Sequence, residues 1–509
     1  MKKTIVISFV CIFAIVIAQA QTPNYSKDLD YIAQKLPSKH ANFTQFINKE
    51  AFAKKVAQLK ARLPQLNPTE FRVELMRLLA SLNDMTTMLP LSSKFHAFPL
   101  RLHWFTDGLF VADASPKYAQ FKGAQVIKIN RHTANEVFTK VKPFISAEND
   151  YLKRTRFFAT RGMAAEVLKQ AGVIEDVNQA TFTLKLSNGK TEQVKVKTIL
   201  MSDFLSTFYY KEVDPVTHPA TSQRQNTRYW MKYMPVGKIL YVQFNQLRDN
   251  KAGESLSGFT KRIVATADKT DFDRFVVDLR HGGGGSGHRA RKVLNALRKH
   301  PKINQQSVLF VLIGGKTIGT CAEFATMLEL RTKAILVGSE SGQSPNWVGD
   351  ISVLTLPESK LKLYYSNTFW PISIPQDARK YLTPQVKVNY TYAQFANQTD
   401  PALEAVKNYP MSSPPFNPPS PTLKKQLVGK YKIAKGRTLV IYDKDGHLFA
   451  KMRAGSPRSL FGVDTELHLR NGNQFATDIA NVSLKLEMAN DKVKALVWDW
   501  KGTKVRLKR

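Results

Sequence analysis

The chain has 509 residues, enough for three or four domains of ordinary size. Its 75 lysine and arginine residues outnumber its 40 aspartate and glutamate residues, and the net charge of +35 would suit an anionic partner. The basic residues are spread along the chain without a long run or a nucleic-acid motif. We therefore predict no nucleic-acid binding and keep an anionic cell surface as a candidate partner.

The first twenty residues have the pattern of a secretory signal peptide. Lys2 and Lys3 form a basic start, residues 5–18 are apolar, and residues 18–20 form a small-x-small cleavage site. The apolar run is short for a membrane span, and no later stretch is long and apolar enough to make one. We therefore predict an exported protein, periplasmic or extracellular, without a stable membrane span. Cleavage would leave Cys321 as the single cysteine, which excludes an internal disulfide.

Helices are predicted for residues 21–89, because apolar residues recur there at spacings of three and four. Asn67 and Pro68 have the residue types of an N-cap and of a first helical position. Residues 90–225 change character and predict a β-rich module of short strands. The sequence Ser-Asn-Gly at residues 187–189 is typical of a hairpin turn within this module.

Between residues 226 and 408, continuous apolar strands alternate with helices, which predicts a parallel or mixed sheet covered on both faces. Two glycine turns, Gly282–Gly285 and Gly314–Gly315, directly follow strands of this sheet. Ligands of such sheets bind at the carboxyl ends of the strands, so both turns are candidate sites. The simpler interpretation of Gly282–Gly285 is a tight turn that needs glycine for its backbone conformation.

The last part of the chain predicts a separate β domain. Residues 409–422 are rich in proline and are predicted to be a linker. Residues 423–509 are nearly all strand-like, with a hairpin pattern about Asp445 and Gly446, and predict a small antiparallel barrel or sandwich. The fold class is therefore a multi-domain chain with helical, α/β and β parts.

Four motifs in order resemble the tail-specific, or C-terminal processing, serine proteases, particularly the branch related to the tricorn core. They are VVDLRHGGGG (Val276–Gly285), VLIGGKTIGTCAEFA (Val311–Ala325), AILVGSESGQSPNWVGD (Ala334–Asp350) and DPALEAV (Asp400–Val406). The resemblance covers residues 25–408 and implies that the β-rich module is PDZ-like. The C-terminal β domain is similar to lipocalin-like appendages of secreted hydrolases. The family implies a peptidase that acts on unfolded proteins or peptides.

The resemblance implies a catalytic serine two residues after the threonine of the turn, and Gly319 stands there, after Thr317. A helix that begins at this point would offer free N–H groups and a positive dipole end to an oxyanion. An alignment shifted by one residue would make Thr320 the nucleophile, and Cys321 is a further substitute, although free cysteine is typical of a buried core. The oxyanion donors implied by the family are Gly283, Gly284 and Thr320.

The catalytic base of the family is also replaced. Processing proteases use a lysine at the position of Ser344, and the tricorn-like branch uses a histidine at the position of Thr86. Neither hydroxyl can act as a general base near neutral pH. His281 and His288 flank the first glycine turn and are the nearest candidate bases for a substitute nucleophile. The alternative for each is an ordinary histidine on the surface or at a helix start.

Two functions follow from these residues. The first is a secreted serine-type peptidase with a rearranged site. The second is a non-catalytic relative that binds extended peptides or protein C-termini in the old substrate cleft by strand addition. A third is a cell-surface binder of carbohydrate or polyanions that acts through the basic β domain. The ten histidines lack metal-ligand spacing, so no metal and no cofactor are predicted.

Overall fold

The computed structural model describes residues 24–45, 47–157, 163–208, 227–410, 419–434, 437–444, 446–454, 464–471, 473–477, 482–490, 492–500 and 503–507. The predicted signal peptide and residues 411–418 of the predicted linker lie outside these ranges. Within them, no helix is long and apolar enough to cross a membrane. The fold class is confirmed as a mixed α/β chain with a C-terminal antiparallel barrel.

The chain begins with three helices: α1 (Tyr25–Lys39), α2 (Lys49–Arg62) and α3 (Pro68–Ala80). The predicted cap of α3 is confirmed, since the Asn67 side chain accepts hydrogen bonds from the N–H groups of Thr69 and Glu70. The Glu70 carboxylate returns a bond by accepting from Asn67 N, which completes a capping box. Pro68 stands at the first helical position, where its missing N–H costs nothing.

The β-rich module follows. Its elements are β1 (His96–Ala97), β2 (Leu100–Phe105), β3 (Gly108–Ala114), β4 (Gln125–Ile129), β5 (His132–Thr133), α4 (Ala134–Val141), α5 (Asp150–Arg156), α6 (Ala165–Gln170), β6 (Gln179–Lys185), β7 (Thr191–Lys197), β8 (Ile199–Leu200) and α7 (Met201–Phe208). The main sheet has the order β2-β3-β4-β6-β7. The predicted hairpin is confirmed, with Gly189 at φ 83° between β6 and β7.

The described part of the module shares its core with the N-terminal helices. Leu75 of α3, Phe98, Leu184 of β6 and Leu363 belong to one cluster of buried apolar residues. The helices and the β-rich module therefore fold around a single core. The domain boundary near residue 89 remains a prediction from the sequence, since apolar residues from both sides of it pack in the same cluster.

The next part is the α/β core. Its elements are β9 (Tyr229–Met234), β10 (Ile239–Phe244), α8 (Leu256–Lys269), β11 (Arg274–Asp278), α9 (Gly287–Lys299), β12 (Leu309–Ile313), α10 (Gly319–Arg331), β13 (Ile335–Gly338), β14 (Asn346–Thr355), β15 (Lys362–Pro371), β16 (Val386–Lys387), α11 (Tyr392–Ala396) and α12 (Pro401–Lys407). The sheet order is β16-β13-β12-β11-β10-β9, and only β9 pairs antiparallel. Helices α8, α9 and α10 cover one face and α12 the other. The predicted mixed, doubly covered sheet is confirmed.

Strands β14 and β15 form a hairpin that leaves the core and joins the N-terminal helices. Met88 and Tyr364 exchange backbone hydrogen bonds across this contact. Near the hairpin tip, the Asp28 carboxylate accepts from the N–H groups of Glu358 and Ser359. The hairpin thus ties the α/β core to the first helix of the chain.

The C-terminal part is an eight-stranded meander. Its elements are α13 (Pro421–Leu427), β17 (Gly429–Ala434), β18 (Arg437–Lys444), β19 (His447–Ala454), β20 (Asp464–Asn471), β21 (Gln474–Thr477), β22 (Val482–Ala489), β23 (Lys492–Trp500) and β24 (Thr503–Leu507). The first strand, β17, also contacts the last strand, β24, so the sheet nearly closes on itself. Of the predicted barrel and sandwich, the domain is therefore the barrel. Leu330 of α10 and Ile374 join the apolar cluster of the barrel, which therefore packs against the core.

Candidate functional site

The two glycine turns lie side by side because β11 and β12 are parallel neighbours. Thr317 holds the second turn: its hydroxyl accepts from Gly314 N at 3.0 Å and donates to Leu279 O at 2.9 Å. Ile318 N donates to Gly282 O at 3.1 Å and so joins the two turns directly. A threonine suits this position because one hydroxyl both donates and accepts.

Gly319 is the first residue of α10 and is buried against the first turn. Its φ of 57° lies in the left-handed region that side chains other than glycine rarely adopt. A Cβ at this position would lie 2.8 Å from Gly283 O, closer than backbone atoms allow. Gly319 is therefore required by conformation and by space, and it carries no nucleophilic atom.

The start of α10 keeps donors available. Gly319 N donates to Gln343 Oε1 at 2.5 Å, but Ile318 at the N-cap provides no side-chain acceptor. In the described part of the chain, the N–H groups of Thr320 and Cys321 have no hydrogen-bond acceptor. The helix dipole adds positive potential at this end, so the turn can stabilise a carbonyl oxygen or an oxyanion.

In the first glycine turn, the N–H groups of Gly283 and Gly284 differ in whether they are already bonded. Gly283 N already donates to Asn245 O at 3.0 Å. Gly284 O accepts from Leu247 N at 3.1 Å, while within the described ranges Gly284 N has no acceptor. Of the three expected oxyanion residues, Gly284 and Thr320 thus have an available N–H, and Gly283 does not.

The sequence did not indicate one carboxyl group of this region, that of Glu148, which lies beside Ser344. Glu148 Oε2 is 2.9 Å from Ser344 N and 2.7 Å from Ser344 Oγ. The Glu148 carboxyl also faces the Gln343 side chain, and Gln343 Oε1 holds Gly319 N. Asn149 fixes this arrangement, since its side chain caps α5 and donates to Ser341 O at 3.3 Å. Glu148, from a distant segment, therefore contacts Ser344, the position at which the resemblance implies a lysine base.

Burial raises the pKa of Glu148 to about 7, against the opposing effect of its hydrogen bonds from Ser344. The Ser344 hydroxyl has one proton but two acceptors in reach, Glu148 Oε2 and, at 2.8 Å, Asn346 O. A protonated Glu148 can donate to Ser344 Oγ and leave that proton for Asn346 O. The geometry is thus compatible with either protonation state near neutral pH.

No family model and no curated protein matches the sequence. Among solved structures, mature CPAF aligns at a TM-score of 0.52 and 11% identity over 75% of this chain and 95% of that chain. A CPAF point mutant aligns at a TM-score of 0.54 and 12% identity over 77% and 99%. The photosystem II D1 C-terminal processing protease aligns at a TM-score of 0.34 and 12% identity over 72% and 93%. The chain has a tail-specific protease fold. At these identities the likeness shows the fold alone.

Within the tail-specific protease fold, Cys321 has a packing role. Its side chain is fully buried, and a Cβ on Gly282 would lie 2.6 Å from its sulfur. Burial raises the pKa of Cys321 to about 12, so the thiolate is scarce at neutral pH. Cys321 Sγ lies 3.8 Å from Phe244 O, and it is hydrogen-bonded to no histidine among the described residues. None of these properties suits a nucleophile.

Thr320 is also nearly buried, at 7% exposed, and in the described structure its hydroxyl has no hydrogen-bond partner. Neither His281 nor His288, the two histidines considered as its base, is hydrogen-bonded to it. His288 is exposed on α9 and His281 is half-buried beside Gly282. Among the described residues, the Thr320 hydroxyl therefore has no base that could activate it.

Thr86 lies in a loop built around Asp84. Asp84 is fully buried and accepts from Thr86 N at 2.9 Å, His40 Nε2 at 3.0 Å, Ser366 Oγ at 2.7 Å and the Thr87 hydroxyl. Burial alone would raise the pKa of Asp84, but these hydrogen bonds more than offset it and lower the pKa. The loop is thus held as a structural unit, and Thr86 brings no base to the site. Among the described residues, no group of three or more metal-binding side chains is found.

The raised pKa of Glu148 predicts a pH-dependent stability. Its pKa of about 7 in the folded protein lies above the ordinary 4.5, so its stabilising contribution is complete below about pH 4.5 and is lost as the pH rises through 7. The loss should be about 2 kcal/mol, allowing for a partly exposed side chain. Urea unfolding of wild type and Glu148→Gln at several pH values should show the two stability curves diverging above pH 5. Parallel curves would contradict this expectation.

Proposed function

We propose that this protein binds extended, unfolded peptide segments in the cleft of a tail-specific protease fold and does not hydrolyse them. The observation that carries the proposal is Gly319, which has no nucleophilic atom and no room for one beside Gly283 O. The substitutes considered do not repair this loss, since Cys321 is buried with a raised pKa and Thr320 has no base. The signal-peptide pattern supports a role outside the cytoplasm.

The binding surface proposed here keeps the family's means of holding a peptide backbone. The available N–H groups of Gly284 and Thr320 can donate to a peptide carbonyl oxygen. Strands β2 and β7 are the edges of the sheet in the β-rich module, and an extended peptide can add to such an edge. Binding would then use backbone groups and accept many sequences, as unfolded segments require.

The test is to incubate the purified protein with unfolded casein and with peptides that end in free apolar residues. Intact substrates by mass spectrometry, together with micromolar-range affinity by fluorescence anisotropy, are the expected result. Absence of both nucleophile and base typically lowers such rates by about 10⁶, so no cleavage should be measurable. Cleavage by the wild-type protein would overturn the non-catalytic proposal, and absence of any binding would overturn the binding role.

A second candidate function is slow hydrolysis in which Glu148 activates a water molecule. It is favoured by the raised pKa of Glu148 and by its buried Oε1, which has no hydrogen-bond partner in the described part of the chain. The carboxylate would take a proton from water as the water oxygen attacks the peptide carbonyl, and would later give that proton to the leaving amine. If cleavage is seen, loss of activity in Glu148→Gln would support this route. Loss in Thr320→Val alone would instead support a rearranged serine-type site.

A further inference from the structure

Helices α9 and α10 lie side by side and run in the same direction, because the strands that they connect are parallel neighbours. Near their starts, Arg291 Nη1 donates to Glu323 Oε1 at 3.4 Å. Glu323 also packs on the first residue of α9, since a Cβ on Gly287 would lie 2.6 Å from its Oε1. The first turns of the two helices are therefore adjacent.

The far ends of the two helices are adjacent as well, because the Asn304 side chain bridges them. Its Nδ2 donates to Arg298 O, near the end of α9, at 3.0 Å. Its Oδ1 accepts from Lys333 N, just after the end of α10, at 2.9 Å. Arg298 of α9 and Arg331, the last residue of α10, therefore stand at the same level of the helix pair.

Arg331 is enclosed at this level without a counter-charge. It is 7% exposed, and its Nε and Nη2 atoms are buried without a hydrogen-bond partner. Across the described ranges, no carboxylate forms an ion pair with Arg331, and the nearby Glu329 of the same helix is bonded to Arg379. A buried charge with neither an ion pair nor hydrogen bonds is costly, so this guanidinium favours an anion that can reach it.

The charges around Arg331 are also positive. Burial, together with the charges of Arg298 and Arg291, lowers the pKa of Arg331 to about 9, which still leaves it charged at pH 7. Arg291 and Arg298 are half-buried and so remain in contact with solvent. The three guanidinium groups and the Glu323 carboxylate together carry two positive charges. A doubly charged anion would balance this group of side chains, whereas a single carboxylate would not.

We propose that Arg331 and Arg298 bind a phosphate group between the ends of α9 and α10. Phosphate carries more than one negative charge at neutral pH, and two of its oxygens can accept from the Nε and Nη2 atoms of one guanidinium. No hydrogen bond holds the Arg331 guanidinium within the described structure, so turning it toward a ligand breaks no such bond.

The phosphate site is separate from the proposed peptide cleft. Arg331 lies at the opposite end of α10 from Gly319, about 18 Å along the helix, so the site does not rest on the peptide-binding function. The bound group is either the free ion or a phosphomonoester carried by a larger molecule. Two probes, inorganic phosphate and glycerol phosphate, distinguish these sources.

Binding of the two probes to the full chain is measured by isothermal titration calorimetry at pH 7 and constant ionic strength, with acetate as the singly charged control. We expect Arg331→Met and Arg298→Met each to bind phosphate about tenfold more weakly than wild type, the effect of one lost charge-assisted contact. Arg289→Met is the matched control, because it removes the same charge from α9, where Arg289 pairs with Asp249 at 2.5 Å. It should bind phosphate like wild type.

Thermal unfolding gives a second measurement that a folding defect would not imitate. Phosphate should raise the unfolding temperature of wild type and of Arg289→Met, and it should leave that of Arg331→Met unchanged. Without phosphate, Arg331→Met should be at least as stable as wild type, because methionine buries no charge at this position.

Each outcome decides part of the proposal. Equal affinity for phosphate and glycerol phosphate supports a phosphomonoester as the natural group, and binding of phosphate alone supports the free ion. Equal binding of phosphate by wild type and Arg331→Met, or acetate that binds as tightly as phosphate, overturns the site. It is also overturned if phosphate gives the wild-type protein neither a heat of binding nor a higher unfolding temperature.

Discussion

Arg280→Met is expected to destabilise the protein by about 3–5 kcal/mol or more, because it leaves two buried carboxylates without their partner. The guanidinium bonds Asp278 through Nη2 at 2.7 Å and Asp400 through Nη1 at 2.9 Å and Nη2 at 2.8 Å. The carboxylate side chains of Asp278 and Asp400 are only 0% and 6% exposed, so water cannot replace the arginine. Burial alone would raise the pKa of Asp278, but Arg280 offsets this and holds the pKa below its usual value.

The measurement is urea unfolding at pH 7, with Arg262→Met as the matched control. Arg262 also bonds a carboxylate, Glu254, at 2.6 Å, but the two side chains are 49% and 35% exposed, so water screens the pair and its loss should cost less than about 1 kcal/mol. Adding Asp278→Asn to Arg280→Met should recover part of the stability, since it removes one unpaired charge. If Arg280→Met and Arg262→Met lowered the free energy of unfolding equally, the ion pairs of Arg280 with its two buried carboxylates would not be what stabilises the cluster.

Gly319→Ser combined with Thr86→His is expected to give no proteolytic activity and a less stable protein. A serine at 319 would have to adopt a φ of 57°, which costs about 1–3 kcal/mol, and its Cβ would overlap Gly283 O, which costs about as much again. A histidine at 86 would replace a nearly buried threonine in the loop that Asp84 holds. Relief of the overlap would move the serine away from the donors at the start of α10.

Proteolysis of casein and thermal unfolding of the single and double variants check this expectation. Gly284→Ser is the matched control, because Gly284 is exposed, has no strained φ, and would place a new Cβ with no other atom within 4 Å. It should lose little stability. Activity that returns in the double variant, and in neither single variant, would contradict the steric argument and would support Gly319 as the ancestral serine position.

Local features of this chain could be predicted from the sequence because neighbouring residues determine them. Asn67 and Pro68 start a helix through bonds within one turn, and Asn188 and Gly189 close a hairpin between adjacent strands. The alternation of apolar strands and helices was enough to predict the mixed sheet and the two glycine turns at its strand ends. The order of four motifs was enough to predict the fold, which the CPAF structures share.

The residue types at three family positions also follow from the sequence: position 319 has no side chain, and positions 86 and 344 hold hydroxyls. Only the tertiary structure showed that Gly283 O fills the space where a side chain would begin, and that Cys321 is buried against Gly282. It likewise brought Glu148 to Ser344, across a separation that no local pattern spans. The sequence gives the chemical groups that each residue carries and the helices and strands that its neighbours favour. Which groups meet depends on how distant segments pack, because burial and hydrogen bonding act between neighbours in space.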